Sequence, residues 1–430
     1  MYYPIASTDI QCPSQTRNAF LGLAPFLRMS IACADLRQAG QDMLAKALAA
    51  PDDANLLMNV SIASLCLGQR DIGLAIQDQA LQLQRVYHLA ASKQPARFRL
   101  LMLMAPGDLA ANTPLECLLE NVDVDLDFYY VGAAAPFDFP VPRHDALIVT
   151  IGESDQTLEV LRKLEPVLAN WPKPVINLPQ HIPSTGRAAA SALLQDIPGL
   201  VMPPALRISR SVLDAIAAGR CHLRDRFDAC DFPVIVRPSN SHGGHGLEKI
   251  DGPGQFAPYL SRTSAAEFYL ARFIDYSSRD GFFRKFRIAL IDGKAFACHM
   301  AVSSNWMVHY VNAGMYQEAW KREEEAAFMA QFDLFAQHHQ SALQAICTRT
   351  KLDYLCIDCA QTRDGQLLVF EIDHAMVIHA MDLEHQFPFK QVHMQKVKDA
   401  FRDYLFKLTS AVPQAPVRDR CDAPSTHEGP

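Results

Sequence analysis

The chain has 430 residues, 49 % hydrophobic and 20 % charged, a globular balance with material for several domains and no mark of a disordered chain. Forty Lys and Arg stand against 47 Asp and Glu, a formal net charge of -7, which gives no electrostatic basis for binding nucleic acid or a membrane surface. The 11 scattered cysteines suit reduced, buried thiols, no apolar run reaches the ~18 residues of a membrane span, and the N-terminus shows no signal-peptide pattern, so a cytoplasmic protein is expected.

The region to residue 95 reads as helical. One segment opens at Pro51-Asp52-Asp53 and runs through Leu56, Leu57, Val60, Ile62 and Leu65 to Gly68. A second runs from Asp71 through Leu74, Ile76, Leu81 and Leu83 to Tyr87. Helix, Gly-containing turn, helix predicts an antiparallel hairpin. With Gly68 at the turn, then Ala75 and Ala80-Leu81, the stretch resembles one tetratricopeptide unit. Two readings stay open: a helical cap on the next domain, or a dock for a peptide or protein substrate.

Ser92-Lys93-Gln94-Pro95 marks a boundary. Between residues 96 and 185 short apolar strands at Arg97–Ala105, Val124–Tyr130, Ala146–Thr150 and Pro174–Leu178 alternate with helices at Thr113–Glu120 and Thr157–Ala169, a small parallel α/β domain. From residue 186 to 410 the pattern becomes α+β, with short strands, tight turns and one long helix predicted over Glu323–Thr348. Residues 411–430 are rich in Pro, Asp and Ser and read as a disordered tail.

Two features carry chemistry by geometry. The strands Tyr354–Ala360 and Leu367–Asp373 flank Asp364-Gly365, a favoured two-residue hairpin turn. That turn sets Asp358 opposite Glu371 as a close, non-hydrogen-bonded pair, about 4.5 Å between Cα atoms. Asp373, two residues on, points to the same face. Three carboxylates on one face repel unless a hard cation joins them, which points to Mg²⁺ held with substrate phosphates. The second feature is the strand Phe232–Pro238, ending in Arg237 and followed by Ser239-Asn240-Ser241-His242-Gly243-Gly244-His245-Gly246. Its glycines let backbone N–H groups approach an anion. The loop joins strand to strand, so it is neither a P-loop nor a dinucleotide-binding turn. A later strand carries Lys285 and Arg287 on one face.

The order of these parts resembles the ATP-grasp superfamily, within it the glutathione-synthetase-like and ribosomal-protein glutamate-ligase-like branch. The resemblance covers roughly residues 98 to 390. It implies an α+β ATP-grasp fold, preceded by a small α/β pre-ATP-grasp domain and the N-terminal helical region. It implies ATP and Mg²⁺ as cofactors. Arg187 and Arg237 stand where the family places two phosphate-contacting lysines. Ser241, Gly243, Gly244 and Gly246 would form the lid over the phosphates. Ala271, Arg272 and Ile274 would hold adenine through main-chain groups. Arg287, with Lys285 beside it, would face the transferred phosphate, and Asp358, Glu371 and Asp373 would bind Mg²⁺. The chain departs from the family in its two arginines, in Asp373 where the family has Asn, and in Ala271 where the hinge has an acid. The activity implied is a carboxylate–amine ligase acting through an acyl phosphate. A degenerate nucleotide-sensing module is the alternative. The resemblance also makes a homodimer an expectation.

Ser303–Asn312 is dense in polar and aromatic residues and is expected, with the segment after Asp373, to form the substrate pocket. His309 or His374 would accept the nucleophile's proton. Cys356 and Cys359 fall on opposite faces of a strand, and the His-Arg-Asp and Asp-Phe-Gly sequences of kinases are absent.

Overall fold

A computed structural model describes residues 18–132, 136–137, 139–227, 231–241 and 243–410. The expected disordered tail lies outside these residues. Among them no helix is long and apolar enough to cross a membrane.

Four helices come first: α1 (Ala24–Ile31), α2 (Leu36–Ala49), α3 (Ala54–Cys66) and α4 (Arg70–Leu83). Asp53 caps α3 by accepting the Leu56 N–H at 3.1 Å. Gly68, at φ +74°, makes the turn into α4, so the expected hairpin is present. The approach is tight, since a Cβ on Gly73 would fall 2.7 Å from Leu65 Cγ. The second helix stops earlier than expected. Val86–Leu89 is strand β1, paired antiparallel with β3 (Val124–Tyr130).

Strands β1, β2 (Phe98–Met104), β3, β4 (Ala146–Val149) and β5 (Val175–Ile176) form one sheet in the order β1-β3-β2-β4-β5, parallel except for β1. The helix expected over Thr113–Glu120 shrinks to α5 (Leu115–Leu118), and α6 (Leu158–Leu168) follows β4. The helices α1–α4 pack into the same hydrophobic core as this sheet.

Beyond it come α7 (Arg187–Leu193), β6 (Leu200–Val201), β7 (Ala205–Ser209), α8 (Arg210–Ala217), β8 (Val234–Pro238), β9 (Glu248–Ile250), α9 (Phe256–Leu260) and β10 (Glu267–Arg272). The order β7-β10-β8-β9 makes a small antiparallel sheet with its own core under α8 and α9. Then follow β11 (Phe283–Ile291) and β12 (Lys294–Ser303). The single long helix expected next is three helices, α10 (Ala319–Ala330), α11 (Phe332–His338) and α12 (Gln340–Thr350), broken at Gln331 and His339. The hairpin β13 (Tyr354–Gln361) and β14 (Leu367–Asp373) completes a five-stranded sheet in the order β12-β11-β13-β14-β6. The last helix, α13 (Lys390–Ser410), fastens this sheet to the α/β sheet: Phe401 packs edge-on to Tyr354 and Phe406 to Phe98, and Arg402 pairs with Asp123 at 2.7 Å. The expected α+β fold class is the one observed, with a small α/β sheet followed by two further sheets that face each other across a cavity.

Candidate active site

The β13–β14 hairpin sets Asp358 opposite Glu371, as its sequence predicts, but by another route. The turn is a three-residue loop, Arg363-Asp364-Gly365. The Thr362 N–H donates to the Gln366 carbonyl at 3.0 Å, and the Gly365 N–H donates to the Thr362 carbonyl at 2.9 Å. This offsets the pairing by one residue near the turn. A β-bulge at Phe370 then restores it. The bulge also switches the side-chain alternation of β14. Leu368 and Phe370, on one side of the switch, and Glu371 and Asp373, on the other, all line the same cavity. Apolar and acidic groups thus share one wall that a regular strand would have split between two faces.

Lys285 and Arg287 on β11 share a face, as expected, and both reach Asp358. The Lys285 Nζ lies 2.7 Å from Oδ2, and the Arg287 guanidinium spans both oxygens at 2.8 and 3.0 Å. Burial alone would raise the Asp358 carboxyl, but Arg287 and Lys285 outweigh it and hold it far below the usual carboxylate range. Arg187 at the start of α7 pairs with Glu371 at 2.5 Å. Asp373 is pushed up to about 7, first by burial and then by the like charge of Glu371. Among the described residues no cluster of three His, Cys, Asp or Glu side chains stands in metal-holding geometry. Asp358 already has two cations, whereas Glu371 meets Arg187 alone and Asp373, two residues on along the strand, meets no Lys or Arg among the described residues. Those two fit a hard divalent cation.

Arg237 ends β8 and is buried. Its Nη2 donates to the Ser241 carbonyl and its Nε to Ser241 Oγ at 3.2 Å, which folds the start of the Gly-rich loop back over the strand. Burial and the neighbouring Arg187 lower its pKa to about 10. Gly243, Gly244 and Gly246 all take positive φ, between +60° and +77°. A Cβ on Gly246 would sit 2.8 Å from Pro238 Cδ, and one on Gly244 would sit 3.2 Å from the His309 ring.

The far wall is β10. At its end β7 is preceded by Pro203-Pro204, which have no N–H to donate. The Phe273 N–H donates to the Pro233 carbonyl at 3.0 Å, on the β8 side. Strand alternation therefore turns the main-chain groups of Arg272 and Ile274 to the proline side, where Met202 and Pro203 line the cavity. A free main-chain edge set among apolar side chains is what a flat heteroaromatic base needs.

The cavity measures about 430 Å³. Arg187, Arg237, Gly243, Gly244, Ala271, Arg272, Ile274, Lys285, Arg287, His309, Asp358, Glu371 and Asp373 all line it. Ser241 and Gly246 act one step back, through Arg237 and Pro238. His374 does not belong to the lining. It is fully buried, its Nε2 donates to the Ile151 carbonyl at 3.0 Å, and burial drops its pKa to about 4. A proton-accepting role for His374 is therefore replaced by a structural one, while His309 stays at the cavity with a pKa lowered by burial and by Lys285.

Sequence reading missed the contribution of Leu109 and Ala110, which follow β2 and enter the cavity from the α/β domain. Their place at the C-terminal end of a parallel strand was the available signal. The Pro203-Pro204 pair is a second missed element.

No family model matches the chain, and no curated protein matches it. Among solved structures it is similar to D-alanine–D-alanine ligase from Bacillus anthracis complexed with ATP, with a TM-score of 0.45 and 12 % identity over 73 % of this chain and 97 % of that one. It is similar to the RimK domain ATP-grasp protein from Sphaerobacter thermophilus, at 0.39 and 14 % over 71 % and 99 %. The ATP-grasp ligase PsnB with precursor peptide PsnA2 and AMPPNP scores 0.39 at 16 % over 74 % and 100 %. The functional reading rests on the cavity's own geometry.

Proposed function

We propose that the protein is a Mg-ATP-dependent ligase that activates a carboxylate as an acyl phosphate and passes it to an amine or similar nucleophile. One observation carries this reading: five cations and three acids converge on a cavity whose other wall is an open main-chain edge. Arg272 and Ile274 would receive the base. Arg187, Arg237 and the Gly243-Gly244 backbone would receive the phosphates. Lys285 and Arg287 would draw negative charge from the transferred phosphoryl group as the substrate carboxylate attacks. Glu371 and Asp373 would hold the Mg²⁺, which shields phosphate charge when bound. His309, whose pKa burial and Lys285 lower, would accept the nucleophile's proton. No side chain need form a covalent bond.

A nucleotide-sensing protein is the second reading. It is favoured by Asp358, whose oxygens are already occupied by Lys285 and Arg287. Thermal stability of the wild type and Glu371→Gln, with Mg²⁺ alone and with Mg²⁺ plus ATP, tests the site common to both readings. Stabilisation by a ligand at a hundredfold excess over Kd is about 2.7 kcal/mol. A shift in the wild type that shrinks in the variant is the expected outcome; no shift in the wild type overturns the nucleotide site. ADP release that depends on an added acid then separates ligase from sensor.

A further inference from the structure

Beside Arg287 the cavity is lined by Leu109, Ala110, Ala375, Met376 and Val377. This wall is fixed from several sides. Arg287 Nη1 donates to the Val377 carbonyl at 3.1 Å, which ties the segment to the cation that would face the reacting group. Thr113 Oγ1 donates to the His374 carbonyl at 3.0 Å, and His374 Nε2 donates to the Ile151 carbonyl at 3.0 Å. At Gly152 the backbones are so close that a Cβ would lie 3.3 Å from the Ala111 carbonyl and 3.4 Å from Ala375 Cβ. Aliphatic side chains from two domains thus meet as one preformed surface.

Resting on the ligase reading, we infer that the acid activated here has an aliphatic body and carries no cationic amine beside its reacting carboxylate. A carboxylate brought to Lys285 and Arg287 would lay its next carbons on Leu109, Ala110 and Ala375–Val377. An ammonium group at that place would be desolvated against methyl and methylene groups and repelled by two nearby cations. The acids of the cavity are committed elsewhere. Both Asp358 oxygens are taken by Arg287 and Lys285, and Glu371 and Asp373, which would hold the Mg²⁺, already meet Arg187 and the Ala375 N–H at 2.9 Å. Glu153, on the neighbouring loop, is drawn against Gly186, where its carboxyl would lie 2.9 Å from an added Cβ. The substrate class that fits is a simple aliphatic acid, or a carboxylate of a chain whose amine is acylated or distant. A free α-amino acid does not fit.

The test uses the full-length protein with Mg²⁺, ATP and hydroxylamine. The carboxylate oxygen bonds to the γ-phosphorus as the bond to ADP breaks. Hydroxylamine nitrogen then attacks the acyl carbon, loses a proton and expels phosphate, leaving a hydroxamate. Paired acids differ only in the amine: propanoate against alanine, butanoate against 2-aminobutanoate, pentanoate against norvaline. We expect each amine-free acid to give kcat/KM for hydroxamate formation at least tenfold above its partner, rising by about fourfold for each added methylene that is buried. Ala110→Asp, an exposed position at the wall, should narrow that gap. Equal rates or preference for the amino acids would overturn this inference alone, whereas no product from any pair while Mg-ATP still stabilises the protein would overturn the ligase reading in favour of the nucleotide-sensing one. Loss of Mg-ATP stabilisation itself would overturn the ligase reading with it.

Discussion

Asp358 lies between two strands with its side chain 3 % exposed, and an isolated carboxylate there would take up a proton. It stays charged because Arg287 and Lys285, alternate residues on the adjacent strand, both reach it. His374 shows the opposite solution. Its ring is buried with only the Asp373 carboxyl near it, 3.7 Å from Nδ1, and burial prevails, so it stays neutral, with a pKa near 4. In the unfolded chain the same ring takes up its proton at about 6.5. The folded pKa is depressed, so the ring's contribution to stability is complete above about pH 6.5. It is lost as the pH falls toward 4, because the unfolded state then binds more protons. His379 and His339, also lowered to about 4, act in the same sense. Urea unfolding of the wild type and His374→Gln at pH 7, 6 and 5 checks this. The slope of stability against pH should be shallower in the variant by up to about 1.4 kcal/mol per pH unit. Parallel slopes would show that His374 is solvated or already charged in the fold.

At the scale of the element, the β13–β14 hairpin shows how a correct pairing can be read from an incorrect turn. Asp364-Gly365 signals a two-residue turn, and the strand patterns then place Asp358 against Glu371. The chain instead makes a three-residue loop and a bulge at Phe370, and these two one-residue offsets cancel. The acidic face was legible because burial pattern fixes which side chains face in. The bulge was not, because no local residue preference marks Phe370. Strand β1 was lost for a related reason: its four residues continue the apolar spacing of α4 too briefly for a period of two to show. Helix α13 was legible in principle from Met394, Val397, Phe401, Tyr404 and Leu405, but numerous intervening charges dilute that stripe. The Gly-rich loop was read from composition alone, and its glycines prove to be required by conformation. Gly246 combines a φ of +67° with a 2.8 Å approach to Pro238, so Gly246→Ala must move the loop. The ligand-free protein should lose roughly 1 kcal/mol, the ordinary cost of a side chain forced to positive φ. Its stabilisation by Mg-ATP should fall much further. Undiminished Mg-ATP stabilisation in this variant would separate the loop from phosphate binding.

At the scale of the whole molecule, the N-terminal helices are built into the rest of the chain. Phe20 packs between Tyr87 and Phe128, with ring centroids 5.2 and 5.0 Å away, and the buried Glu116 accepts the Leu23 N–H at 3.1 Å. Their inner face is committed to the α/β sheet, which is why amphipathic spacing alone could not tell a cap from a dock. One contact links them to the site. Gln77, buried on α4, donates from Nε2 to the Gly107 carbonyl at 2.9 Å and accepts the Gly107 N–H on Oε1 at 2.8 Å. Gly107 begins the loop that carries Leu109 and Ala110 into the cavity, and Arg70 of the same helix pairs with Asp108 at 3.3 Å. A helix that clamps this loop braces the wall proposed for the acid and leaves the wall proposed for the nucleotide, made by β10 and the Gly-rich loop, untouched. Gln77→Ala removes both hydrogen bonds and leaves a peptide group of Gly107 to be satisfied by water, a change of about 1–3 kcal/mol in loop order. The Mg-ATP thermal shift should match the wild type, while KM for the acid in the hydroxylamine assay rises at least several-fold with kcat less affected. If KM for the acid is unchanged, the helices brace the fold alone, and their other face is where a protein-sized substrate would have to be sought.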